Sequence, residues 1–214
     1  MAVLARAIGP FVISALCLLL VGCGSGAVRY ADGPREGPVV ILGDSLAAGY
    51  EMPKGVGFVE VLSQRLGLEI ENLGQNGATT AESLPRVAKE VLPLKPSLVI
   101  IELGGNDALR KVDPAETREN LAQMIKAVQE QGIPVMLLGV RGGLMSDRFD
   151  EMFDGLVSEF QTAYVPDLLD GILTHPELKH DNIHPNAKGH QALADKVEPE
   201  LRRVLLAIGK VKDS

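Results

Sequence analysis

The chain holds 214 residues, 46% of them apolar and 23% charged, with 23 glycines, 13 prolines, two cysteines and no tryptophan. That composition supports a packed core and excludes a disordered chain, a collagen-like chain and a disulfide framework. Acidic residues outnumber basic ones, 28 to 21, for a formal charge of −7. The basic footprint that nucleic-acid binding requires is missing, and no nucleic-acid partner is expected.

Residues 1–22 carry a single charge, Arg6, followed by an apolar run over 11–21. The run is too short to span a bilayer and fits the apolar region of a secretory signal. Leu20-Val21-Gly22-Cys23 then looks like the lipobox of a bacterial lipoprotein, whose cysteine is acylated and becomes the new N-terminus. An ordinary signal peptide or an N-terminal anchor is the alternative. The expected organisation is a signal peptide over 1–22, a lipidated Cys23 with a flexible Gly-rich tether over 23–37, and one folded domain over 38–214. Removing 1–22 also removes Cys17, so no intramolecular disulfide is expected. Two or three acyl chains on Cys23 suffice for stable anchoring, which places the domain in the bacterial cell envelope, facing the periplasm or the exterior.

Within the domain, short apolar runs alternate with longer amphipathic ones. Residues 39–42 read as a strand ended by Gly43, and 58–66 as a helix with apolar positions 58, 59, 61, 62 and 66. Residues 68–73 form a short strand and 80–92 a helix that contains Pro85. A buried strand covers 98–103. Over 114–131 a helix opens on Pro114, presents Leu121, Met124, Ile125 and Val128 on one face, and stops at Gly132. A strand over 134–140, a helix over 148–160, a short strand over 163–165 and a helix over 186–208 complete the chain. Continuous apolar strands alternating with helices predict an α/β fold with a parallel sheet covered on both faces. Ligands of such sheets bind at the carboxyl ends of the strands.

Those ends hold four polar segments: Gly43-Asp44-Ser45-Leu46, Asn72-Leu73-Gly74-Gln75-Asn76-Gly77, Gly104-Gly105-Asn106-Asp107 and Asp181-Asn182-Ile183-His184-Pro185. Each alone has an ordinary reading as a helix cap, a turn or a pre-helical loop. Together they supply a chemistry. A serine hydroxyl becomes a nucleophile when a base takes its proton and a carboxylate holds that base in the right tautomer. Ser45, His184 and Asp181 fit those roles, and Asp181 lies three residues before His184. An oxyanion needs preorganised donors: the backbone N–H of Ser45 at a helix start, the backbone N–H of Gly77, and the side-chain amide of Asn106. Position 47 is alanine, so the Gly-x-Ser-x-Gly nucleophile elbow is not present.

The four segments resemble the sequence blocks of the GDSL, or SGNH, hydrolases. The stretches over 41–50 and 102–110 are closest to the thioesterase I, arylesterase and lysophospholipase branch. The resemblance spans about residues 38–205 and implies a flavodoxin-like three-layer α/β/α sandwich with about five parallel strands, a serine esterase activity and no metal or other cofactor. It places the Gly block at Gly77 in preference to Gly74, because Thr79-Thr80 follows.

Of the four histidines, His180 and His184 have metal-ligand spacing on a helix, but Pro185 pushes His184 out of helical geometry and no third ligand follows at a familiar spacing. His175 and His180 read as loop residues and His190 as a helix-surface residue. Leu109, Leu144 and Met145 are expected to form an apolar substrate rim. Acyl or aryl esters or lysophospholipids are the expected small-molecule partners, acting on a monomer that meets the membrane through its lipid anchor. An exported protein would not meet cytosolic acyl-CoA. The alternatives are an O-acetyl polysaccharide or peptidoglycan deacetylase and, less favoured, a non-catalytic envelope binding lipoprotein.

Overall fold

The computed structural model describes residues 27–33, 35–140 and 147–212. The signal peptide, Cys23, Leu144 and Met145 lie outside the described residues. Five strands form one parallel sheet: β1 (Val39–Gly43), β2 (Ile70–Asn72), β3 (Leu98–Glu102), β4 (Val135–Leu138) and β5 (Ala163–Val165). Their order is β2-β1-β3-β4-β5. The chain leaves β1 in one direction and returns to β3 on its other side, so a crevice opens between the carboxyl ends of β1 and β3. Register there runs from Val39 opposite Leu98 to Gly43 opposite Glu102.

Alternation along the strands separates two cores. Val39, Ile41, Leu98, Ile100, Met136 and Leu138 face α2 (Phe58–Leu66) and α7 (Ala187–Ala207). Val40, Leu42, Val99, Ile101, Val135 and Leu137 face α3 (Thr80–Arg86), α5 (Pro114–Gln129) and α6 (Asp147–Phe160). Both faces of the sheet are covered, which is why its central strands β1, β3 and β4 read as apolar runs, broken only by Glu102 at the end of β3. Two short helices follow β1 and β3: α1 (Ser45–Ala48) and α4 (Gly105–Leu109).

The expected helix over 80–92 is observed as α3 followed by a π turn, Val87–Val91, and a 3₁₀ turn, Leu92–Leu94. Pro85 lacks the N–H that would close the next α-helical bond, and the widened turn follows it. In α7 the helix runs through Pro199, with Val197, Leu201 and Val204 all fully buried around it. The tether expectation needs correction in its last part. Val28 and Ala31 are buried in the α2/α7 core, and the Arg29 and Arg35 amides donate to the Gln161 and Ile208 carbonyls at 2.8 and 3.0 Å. Residues 28–33 and 35–37 are therefore part of the domain, anchored by two apolar side chains that a Gly-rich composition hides.

Candidate active site

Ser45 is the first residue of α1, set directly after β1. Asp44 caps that helix, its Oδ1 accepting from the Leu46 amide at 2.9 Å. Beneath the turn, Oε2 of Glu102 accepts from the amides of Asp44 (3.1 Å) and Ala47 (3.3 Å). The turn is thus hung from a side chain on the neighbouring strand. Among the described residues the Ser45 amide has no acceptor, and it lies at a helix start, where anions are favoured.

The base arrives on the loop between β5 and α7. The His180 amide donates to the His184 carbonyl at 2.8 Å, and Lys179 and Pro185 form an antiparallel bridge. Asn186 joins loop to helix. Its Oδ1 caps α7 by accepting from the amides of Lys188 (2.9 Å) and Gly189 (3.1 Å), while its Nδ2 donates to the carbonyls of Glu177 (2.9 Å) and Lys179 (3.2 Å). Asp181 Oδ1 accepts from the Ile183 and His184 amides, and its Oδ2 lies 2.8 Å from His184 Nδ1. His184 Nε2 lies 3.1 Å from Ser45 Oγ. With the proton on Nδ1, facing the carboxylate, Nε2 is an acceptor aimed at the serine hydroxyl. Against the opposing effect of burial, the hydrogen bonds from His184 and from the two amides bring the Asp181 carboxyl down to about 2. It is therefore ionised at neutral pH. Tyr50 stacks on the His184 ring at 4.3 Å between centroids.

Asn106, in α4, reaches the same crevice. Its Nδ2 donates to Asp44 Oδ2 at 3.0 Å and to the Ala78 carbonyl at 3.1 Å, so both amide hydrogens are engaged within the protein. Gly77 sits at φ +74°, and its carbonyl accepts from Arg110 Nη2 at 2.7 Å. Among the described residues its amide has no acceptor. Gly74 differs: its amide donates to Asn72 Oδ1 at 2.9 Å, and a Cβ there would lie 2.4 Å from the Ala48 nitrogen. Gly74 is needed for close packing beneath α1, whereas Gly77 keeps a donor. Asp107 is 1% exposed and takes no part in the crevice. Its carboxylate accepts from the Thr80 amide (2.9 Å) and hydroxyl (2.5 Å), tying α4 to α3.

Beside Ser45 a cleft of about 80 Å³ is lined by Leu46, Leu109, Val140, Leu169, Leu173 and Ile183, with His184 and Asn106 at its polar end. A single water needs only about 10–15 Å³ of such space. Leu109 belongs to this apolar lining, and it is one of only two large apolar side chains exposed among the described residues. Leu169, Leu173 and Ile183 escape a sequence reading because they sit in irregular loops without a period. Tyr50 and Glu102 escape it as well, although a lone acid in an apolar strand is a readable signal.

The remaining histidines are dispersed. His175 Nδ1 bonds the Gly171 carbonyl at 2.6 Å, and His180 pairs with Glu51 at 2.7 Å. His190 is not on the helix surface: it is 1% exposed, and its Nδ1 accepts from the Phe58 amide at 3.2 Å. Burial, aided by the charge on His184, pushes its pKa down to about 4. The aligned apolar face of α7 extends around to position 190, which counting only Leu and Val misses. Among the described residues no group of three His, Cys, Asp or Glu side chains is placed to hold a metal ion.

The model of the GDSL-like lipase/acylhydrolase family matches residues 41–192. The chain belongs to that family. It is a hydrolase of ester bonds of the GDSL serine-esterase type. It is 32% identical to the esterase TesA of Pseudomonas aeruginosa over 199 residues, covering 88% of this chain and 98% of the relative. Identity to the arylesterase of Vibrio mimicus is 31% over 200 residues, covering 88% and 98%. A crystal structure of TesA superposes with a TM-score of 0.74 at 31% identity, covering 78% of this chain and 99% of that one.

Proposed function

We propose that this protein hydrolyses acyl and aryl esters, including lysophospholipids, through an acyl-enzyme on Ser45, and that Cys23 anchors it by lipid to the bacterial envelope. The observation that carries the reading is the relay Asp181–His184–Ser45, at 2.8 and 3.1 Å, opening onto an apolar cleft.

In this reading Ser45 Oγ attacks the ester carbonyl while His184 Nε2 takes its proton, and Asp181 stabilises the imidazolium. The Ser45 and Gly77 amides are oriented donors for the oxyanion, and the Asn106 amide joins them by exchanging its bond to the Ala78 carbonyl for one to substrate. His184 then returns the proton to the leaving alkoxide, which departs as alcohol. Water, deprotonated by the same imidazole, releases the acid. The acyl chain lies along Leu109, Val140, Leu169 and Leu173, where burial contributes about 0.8 kcal/mol per methylene. That gradient favours chains over acetyl groups. Among the described residues no helix is long and apolar enough to cross a membrane, and the proposed anchor rests on the apolar run and the Gly22-Cys23 junction.

Hydrolysis of nitrophenyl esters from acetyl to decanoyl tests the substrate class. A rise in kcat/KM to a maximum at medium chains is expected. A sharp acetyl-only profile would replace this reading with an O-deacetylase. Cys23→Ser is expected to leave the membrane fraction with normal specific activity in detergent. Its retention there with a processed N-terminus would overturn the anchor.

A further inference from the structure

Glu102 is an acid in an otherwise apolar strand, 0% exposed, and it stands opposite Gly43 in the β1/β3 register. A Cβ on Gly43 would lie 2.8 Å from Glu102 Oε2, so only glycine there admits the carboxyl beneath the nucleophile turn. Oε2 accepts from two backbone amides, those of Asp44 and Ala47. Oε1 is buried, and among the described residues no donor reaches it. A carboxylate oxygen without a donor, away from water, is where a proton belongs. The neighbouring Asp44, 3% exposed, has the opposite pattern: Oδ1 accepts from the Leu46 amide and Oδ2 from the Asn106 side chain.

We propose that Glu102 is a positioning residue, held as a neutral carboxylic acid that shares its proton with Asp44 and thereby keeps the Ser45 turn and the Asn106 amide aligned. Two carboxylates in one buried site do not both ionise. With the proton on Glu102, Asp44 is the single anion. Its two oxygens then cap α1 and fix Asn106, while Glu102 holds the turn from below. Loss of that proton would place two negative charges under the turn and pull it open.

The electrostatics of the pair agree with this division. Burial holds the Glu102 carboxyl well above the usual carboxylate range, and the charge of Asp44 acts in the same direction. Burial also pushes Asp44 up to about 6, against the hydrogen bonds from Leu46, Glu102 and Asn106 and the charge of His184. Among the described residues the titratable groups acting on the pair are each other and, on Asp44, His184. At neutral pH Asp44 is the charged partner and Glu102 the acid.

The inference rests on the serine-hydrolase reading of Ser45, and its test separates the two. Glutamine reproduces a neutral carboxyl: its oxygen takes the two amides and its NH₂ faces Asp44. Glu102→Ala is expected to lower kcat about 10²-fold, the scale of a misplaced catalytic group, with little change in KM and a parallel loss in the rate of fluorophosphonate labelling. Glu102→Gln is expected to restore most of that loss. Infrared difference spectra at pH 8 should show the carbonyl stretch of a protonated carboxyl in the wild type and not in Glu102→Gln, while the loss in kcat at unchanged KM is the readout a merely structural role would not produce. If Glu102→Ala does not fold, Glu102→Gln and the spectrum decide alone. A folded Glu102→Gln that falls about 10²-fold below the wild type, the loss expected of Glu102→Ala, or a wild type without the protonated-carboxyl band, overturns the proposal. Wild-type protein that neither cleaves esters nor labels at Ser45 would instead defeat the hydrolase reading and leave the spectroscopic result standing.

Discussion

The Ser45 turn and the His184 loop meet across 3.1 Å, yet one is hung inside the protein and the other lies at its surface. Asp44 and Glu102, which hold the turn, are 3% and 0% exposed, and Ser45 follows a fully buried strand. On the other side, the Asp181 side chain is 43% exposed, and its loop depends on backbone hydrogen bonds and on Asn186. In the proposed mechanism the nucleophile Ser45 and the Asn106 donor must stay fixed relative to each other, and both sit on short helices that directly follow core strands. In the same mechanism the imidazole has only to swing between the serine and the leaving group, and a hydrogen-bonded loop suffices. Substitutions on the two sides should therefore fail differently: on the turn through chemistry or alignment, on the loop through local order.

The largest expected effect is at the centre. Ser45→Ala should lower ester hydrolysis on the order of 10⁴-fold or more while the melting temperature holds, because Ser45 is only partly buried and its hydroxyl faces His184. Steady-state kinetics and a thermal melt check both halves of that statement. Asp181→Asn removes the carboxylate that fixes the imidazole tautomer. Kcat should fall by up to about 10⁴-fold, the scale seen when a buried triad acid is neutralised. A loss near that limit, despite the exposure of Asp181, would show that orientation outweighs burial.

Asn106→Ala is expected to cut kcat by about 10²–10³ with KM much less affected, as for a donor used only in the transition state. Because the same amide also satisfies Asp44 Oδ2 and the Ala78 carbonyl, stability should fall by about 1–3 kcal/mol in addition. A shift of kcat and KM together, with the stability loss alone, would reduce Asn106 to a structural tie. Asn186→Ala acts on the loop. Loss of the cap should cost about 0.5–2 kcal/mol, seen as a lower melting temperature and slower turnover, with fluorophosphonate still reacting at Ser45.

The smallest effect is electrostatic. The Asp181 carboxyl is lowered from 3.8 to about 2, so its ionised form contributes stability above pH 3.8, and that contribution is lost as pH falls through about 2. Asp181→Asn should flatten the fall in melting temperature across that acid window and leave the neutral range nearly unchanged. An identical acid slope in both proteins would show that the loop gains nothing from the pairing.

Most of the fold is legible in the sequence because both faces of the sheet are buried, which turns β1, β4 and β3 up to Glu102 into apolar runs. The candidate triad is legible for a related reason: polar residues at strand ends stand out against those runs. What stays hidden has no period. The cleft residues Leu169, Leu173 and Ile183 occupy irregular loops, and the packing of Val28 and Ala31 is masked by glycine-rich neighbours. His190 misleads because its ring is buried against Phe58 at a position that pattern counting assigns to solvent. Glu102 is visible in the strand, but its partnership with Asp44 depends on strand register, which a linear reading does not contain.

In the proposed mechanism the hydroxyl of Ser45, activated by His184, forms the covalent acyl-enzyme. Mass spectrometry of the protein after reaction with a fluorophosphonate tests it most directly. One adduct on the peptide that carries Ser45, formed rapidly in the wild type and very slowly in His184→Ala, is the predicted result. An adduct on another residue, or labelling of Ser45 at the same rate without His184, would contradict it.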